Sequence, residues 1–180
     1  KGECTMALVK ISKGADIRHE YTDGVSRVPV LEGAYKDAAV ERISLQPGAE
    51  LSPALYSKTE HNQVFLITAG KGYIATPRRV FNITEVSVFV PDFDKEQFTF
   101  HCAADAKECM EIVHFVTELN DYDKTCLKEA HLTLPRFRGV SQAWHYKEDF
   151  TGADIQQMMM IEHRNLGRLS MGANFGTGPN

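Results

Sequence analysis

Gln63-Val64-Phe65-Leu66-Ile67-Thr68-Ala69-Gly70-Lys71-Gly72 decides the fold class. A strand-like run meets Gly-Lys-Gly, and Tyr73 to Thr76 resumes the strand pattern, so the stretch reads as a tight hairpin. Upstream, Ala39 to Leu45 alternates apolar and polar residues and stops at Pro47-Gly48. Downstream, Pro77-Arg78-Arg79 is a turn, Val80 to Ile83 a strand and Thr84-Glu85 a kink. Val86-Ser87-Val88-Phe89-Val90 is the strongest strand and ends at Pro91, since proline cannot continue a ladder. Gln97 to Cys102 and Cys109 to Val116 complete the run. Short strands at turn spacings of about 8–12 residues imply an all-β protein, an antiparallel sandwich or barrel over residues 38 to 116.

Composition agrees with a globular chain. Of 180 residues 43% are apolar, including ten Phe, enough for a core of one full domain plus an extension. The net charge of −4 and the absence of any Lys/Arg run longer than Arg78-Arg79 leave no footprint for a phosphate backbone, so no nucleic-acid partner is expected. The longest apolar run, Val86 to Val90, is strand-sized, and no membrane span or signal segment is read. The four cysteines, at 4, 102, 109 and 126, match no CxxC spacing, and a reduced cytoplasm is the expected compartment. Cys102 and Cys109 either face each other across a hairpin or are two small buried hydrophobes.

The flanks read differently. Residues 120 to 135 resemble a polar connector, Ser141 to Phe150 holds the single Trp, and Met158-Met159-Met160-Ile161 is a strand or a helical turn. The Met run suits an adaptable packing surface, and a homodimer is the expected assembly. Arg42-Ile43-Ser44-Leu45 returns as Arg168-Leu169-Ser170-Met171, and Pro53 as Pro179, both at an offset of 126 residues. That suggests a duplicated, barrel-sized module whose second copy has just begun. On this alignment Gly172-x-x-x-Gly176-x-Gly178 is a turn.

Pro47-Gly48, the stretch from Gln63 to Gly72 and the stretch from Glu85 to Pro91 resemble, in order and spacing, the two signature motifs of the cupin superfamily. The first motif runs Gly, five residues, His-x-His, three or four residues, Glu, six residues, Gly, and its second half fits with Gln63 at the Glu and Gly70 at the Gly. The second runs Gly, five residues, Pro-x-Gly, two residues, His, three residues, Asn. Pro91 fits, while Glu85, Phe93, Glu96 and Phe100 stand at the Gly, Gly, His and Asn positions. The resemblance implies a cupin-type antiparallel barrel over residues 30 to 118. It is followed by a connector and an opening segment of a second module, 119 to 180, as in a bicupin.

It also implies a ligand in the barrel, a small polar molecule such as a sugar or organic acid. The usual site holds a metal on three His and one Glu, and this chain departs from it. The His-x-His positions fall on Ala54 and Tyr56 in one register, or on Tyr56 and Lys58 in the other, Gln63 replaces Glu, and Glu96 replaces His. An amide is a weak ligand and a lysine a cation, so no metal and no cofactor are expected. His61 is the one imidazole near the first motif; with Glu60, Glu96 and His101 it forms a mixed His/carboxylate set, or a solvated strand entry. His101 and His114 either share one face, if the two cysteines pair, or are a rim histidine and a satisfied core histidine. The candidate ligand-binding residues are Tyr56, Lys58, His61, Gln63, Glu96 and His101; no catalytic residue is assigned. No Gly-x-Ser-x-Gly elbow, nucleophilic cysteine signature or phosphate loop is present. Three functions stay open: a metal-free small-molecule binding module, a metal-dependent bicupin enzyme with its active site beyond Asn180, and a non-catalytic scaffold or dimerisation module.

Overall fold

The computed structural model describes residues 16–30, 32–33, 38–52, 61–92, 97–118, 121, 125, 134–142, 144–147, 154–161 and 171–177. For His61 and for residues from 144 onward the description is of the backbone. Among the described residues thirteen strands follow one another: β1 Val25–Pro29, β2 Ala38–Leu45, β3 Glu50–Leu51, β4 His61–Ala69, β5 Gly72–Ala75, β6 Val80–Ile83 and β7 Ser87–Val90. Then come β8 Thr99–Cys102, β9 Met110–Glu118, β10 Arg136–Gly139, a 3-10 turn Val140–Gln142, β11 Trp144–Lys147, β12 Asp154–Ile161 and β13 Met171–Thr177.

The first ten strands make two sheets, one ordered β1-β2-β9-β4-β7-β10 and the other β3-β8-β5-β6, with all pairings antiparallel. Period-two alternation sorts their side chains. Ile43 and Leu45 on β2, Phe65 and Ile67 on β4, Met110 and Ile112 on β9, and Phe89 on β7 turn inward from the larger sheet. Ile74, Ile83, Phe100 and Cys102 meet them from the smaller one. Phe65, Phe89, Phe98 and Phe100 contact one another with centroids 5.0–6.2 Å apart, mixing edge-on and tilted pairs as ring quadrupoles prefer. β10 borders β7, and its Phe137 packs on Phe81 and the core.

The strands lie where expected, but two connections differ. Gly70-Lys71-Gly72 is no hairpin: β4 and β5 belong to opposite sheets, and the two glycines turn a corner between them. Gly70 has φ +88°, and a Cβ there would lie 2.5 Å from the Met110 Cα. A short Gly-rich loop serves either geometry, and only the partner strands distinguish them. For the same reason β8 and β9 do not pair; Cys102 and Cys109 are both free thiols, and His101 and His114 sit on different sheets.

Beyond the barrel, β11-β12-β13 form a separate antiparallel sheet whose central strand lies against β10 and the 3-10 turn. The Met run is therefore strand, within β12. Met171–Thr177 is strand too, not the expected turn, because pairing with Asp154–Ile161 engages its backbone despite the glycines. At the offset of 126 it aligns with residues 45 to 51, where the chain has a strand end, a turn and β3. The two aligned stretches thus differ in local structure. Residues 162–170, which include Arg168, lie outside the described residues.

Candidate functional site

The inward-facing rows of the larger sheet are apolar at one end and become polar at the other. Met110, Ile112 and His114 share a face of β9; Leu45, Ile43 and Glu41 share one of β2; Ile67, Phe65 and Gln63 share one of β4. Register places Glu41 and Phe65 on either side of His114, with Gln63 one row further on, opposite Val116. Arg27 on β1 stands opposite Ile43 and reaches diagonally to Glu41. At this polar end β4 begins and β7 ends.

The four side chains form one hydrogen-bonded chain. Arg27 donates twice to Glu41, from Nε to Oε2 at 3.1 Å and from Nη2 to Oε1 at 2.7 Å. The His114 Nδ1 lies 2.7 Å from the same Oε1, and its Nε2 lies 3.0 Å from the Gln63 Oε1. Phe65 stacks flat on the imidazole, with centroids 4.2 Å apart and planes 7° apart, which fixes the ring plane. The His114 side chain is 1% exposed, that of Glu41 15% and that of Arg27 30%.

Burial pushes the Glu41 carboxyl up, but hydrogen bonds from His114 and Arg27, and their charge, outweigh it and bring it down to about 2. Burial pushes His114 below its ordinary value; the bond and charge of Glu41 oppose this without reversing it, and Arg27 adds to the lowering. The ionised carboxylate accepts the Nδ1 proton, so in a neutral ring Nε2 carries the lone pair.

Of the six residues singled out in the sequence, Gln63 is in this array. His61 opens β4 opposite Glu118, on the same strand parity as Gln63. His101 is elsewhere, on the outer face of the smaller sheet, with its Nδ1 3.0 Å from the Glu50 Oε1 and its ring stacked on Tyr73 at 4.3 Å. Tyr56, Lys58 and Glu96, with Glu60, lie outside the described residues. Arg27 and Glu41 were missed, and His114 was read only as a core histidine, which it also is. The available signal was parity: each polar residue shares its strand's inward face with core residues, Arg27 with Val25 and Glu41 with Ile43.

No family model matches the sequence, and no curated protein matches it significantly. Solved structures do match. A Pseudomonas aeruginosa protein named as glyoxylate-induced superposes with a TM-score of 0.61 at 8% identity, over 79% of this chain and 51% of that one. KdgF from Halomonas sp. gives 0.51 at 10% identity, over 64% of this chain and 98% of that one. A predicted oxalate decarboxylase from Thermotoga maritima gives 0.51 at 15% identity, over 61% and 100%. The fold is the cupin barrel. At these identities the likeness extends to the fold alone, and the chain spans about half the length of the Pseudomonas protein.

A cupin barrel commonly holds a metal, and the described residues do not fit one. Both Glu41 oxygens are taken by Arg27 and His114, both ring nitrogens of His114 are bonded, and Gln63 offers an amide where the motif has a carboxylate. Among the described residues no three His, Cys, Asp or Glu side chains converge as a metal-binding group. None of the described helical segments is long and apolar enough to cross a membrane.

Proposed function

We propose that this chain is a cupin-type small-molecule binding module that takes a sugar or organic acid at the barrel mouth without a metal. The polar chain Arg27-Glu41-His114-Gln63, built into one end of a barrel whose described core cluster is apolar, carries the reading. Burying an ion pair and an imidazole costs several kcal/mol of desolvation, and well-packed apolar residues of similar volume generally stabilise a core at least as well. Polar groups kept at the open end of a small barrel therefore point to ligand recognition there. Gln63 supports the metal-free form, since it stands where the first cupin motif places its carboxylate. The assembly proposed is a homodimer with no nucleic-acid or membrane partner.

Thermal denaturation of the purified chain, stripped with a chelator, against a panel of sugars and small carboxylic acids tests this. At least one compound is expected to raise Tm to the same extent before and after chelation, and Arg27→Ala is expected to diminish the effect. A stabilising effect that disappears with the chelator sinks the metal-free reading.

A second reading, a two-module cupin enzyme with its metal site in the other half, is supported by the half-length match to the Pseudomonas protein. Elemental analysis of a longer gene product checks it, with stoichiometric Fe, Mn, Ni or Zn as the expected result.

A further inference from the structure

Strands β4 and β9 carry apolar residues on both faces. Phe65 and Ile67 on β4 and Ile112 on β9 turn into the core, and Val64, Leu66, Val113 and Phe115, which alternate with them, turn outward. An antiparallel sheet with one face in water commonly alternates apolar-in with polar-out, whereas a strand that is apolar at successive positions has the pattern of burial on both sides. Register gathers the outward positions into rows across the larger sheet. Val113 stands between Arg42 and Leu66, with Leu66 opposite Val88, and Phe115 stands between Val40 and Val64.

The rows are covered at one end only. Val88 and Val90, outward on β7, are buried within the chain. Val40, Val64, Leu66 and Val113 are half-buried, and Phe115 is 39% exposed. The residues thus stay apolar where the cover stops, and contiguous apolar surface of this kind marks an interaction site. Polar groups border it along the strands. At one end the Ser44 hydroxyl donates to the Glu111 Oε1 at 2.6 Å and the Arg42 Nη2 lies 3.6 Å from the Glu111 Oε2; at the other Asn62 stands opposite Thr117. An apolar centre within a polar rim is how protein interfaces are built.

We propose that the outer face of β1, β2, β9 and β4 is the surface on which a second copy of this chain docks, face to face about a twofold axis, with Phe115 at its centre. These strands are five, eight, nine and nine residues long. At about 3.4 Å per residue and about 4.8 Å between strands they present about 500 Å2 of flat area. Two copies therefore offer about 1,000 Å2 before the corrugation of the side chains is counted, which is the least that a specific interface needs, so the dimer dissociates on dilution. A flat apolar face suits another of its kind, and a second copy supplies an identical one. The same strands carry Arg27, Glu41, His114 and Gln63 on their inner side, so the second copy covers the back of that array and leaves the array itself untouched. The inference rests on the homodimer proposed above and assigns its interface.

Sedimentation of the purified chain from about 1 to 200 µM tests it. The mass should rise across this range towards twice that of the chain. Phe115→Lys and Leu66→Lys should each raise the dissociation constant at least about tenfold, whereas Val80→Lys, at a side chain 58% exposed on the smaller sheet, should leave it unchanged. Because a lysine on either strand could unsettle the fold, the unaltered chain supplies a second readout. The methyl signals of Val40, Val64, Leu66 and Val113 should be shielded from a soluble paramagnetic agent at the high concentration and uncovered at the low one, with Val80 accessible at both. A chain that stays monomeric throughout overturns the homodimer and this inference together. A dimer that tolerates both lysines, or whose methyls on this face stay accessible, overturns this inference and leaves a homodimer joined elsewhere. Methyls shielded at every concentration assign the cover to the chain itself and overturn it as well.

Discussion

Glu41 accepts hydrogen bonds from two other strands, so its removal would leave a guanidinium and an imidazole without their shared partner in a poorly solvated place. Glu41→Ala is expected to cost about 3–5 kcal/mol in denaturant unfolding, the range for breaking a buried pair from one side. The same residue sets an acid limb. Its carboxyl falls from an ordinary 4.5 to about 2 on folding, so its contribution is complete above pH 4.5 and is lost as pH drops towards 2. His114, lowered from 6.5, acts earlier: the unfolded chain binds the proton more readily, so stability declines as pH falls below 6.5. Glu41→Gln should therefore flatten the stability profile between pH 4.5 and 2, as chemical denaturation at stepped pH would show; an unchanged slope there would assign the acid limb to other carboxylates. Strand parity made Glu41 and His114 visible as polar residues on an apolar face, but their partnership was not legible, because 73 residues separate them and only the β2–β9 register brings them together. Gln63 was found because a motif position marks it.

At the scale of elements, strand positions were readable and strand partners were not. Alternation and turn residues mark where Ala38–Leu45 or Val80–Ile83 begins and ends, since those signals are local. The sheet to which a strand returns depends on burial against residues far away, and the corner at Gly70-Lys71-Gly72 looks in sequence like a hairpin. The corner itself is demanding. A Cβ on Gly72 would collide with the backbone carbonyl of His101 on the neighbouring strand, which cannot move without breaking the β5–β8 ladder. Gly72→Ala is accordingly expected to destabilise by about 2–4 kcal/mol, as overpacking against backbone does. Gly33, whose Cβ would meet nothing within 4 Å, is the control in an exposed turn; Gly33→Ala should cost about 1 kcal/mol, from its positive φ alone. A loss at Gly72 no larger than that at Gly33 in urea unfolding would show that the His101 carbonyl gives way at little cost.

At the scale of the whole molecule, the larger sheet takes in a strand from beyond residue 118. β10 is the edge strand of the larger sheet, paired with β7 through Arg136↔Val90, Phe137↔Phe89, Arg138↔Val88 and Gly139↔Ser87. Phe137 closes one side of the aromatic cluster against Phe81, 5.5 Å away. Glu85 anchors the turn that follows, accepting from the Ser141 amide at 3.0 Å and from its hydroxyl at 2.5 Å. Cutting the chain near Lys124 and removing everything beyond would strip these contacts, exposing the edge of β7 and the Phe81 and Phe89 rings. The fragment 1–124 should unfold at a Tm lower by roughly 5–15 °C, if the lost burial amounts to about 2–4 kcal/mol. It should also tend to associate through the bared edge. Phe137→Ala in the full chain isolates the ring's share and should account for about half of the loss, because the ladder remains. A fragment that is monomeric and as stable as the full chain would mean that β10 lies against the barrel without supporting it, since apolar surface cannot be returned to water at no cost.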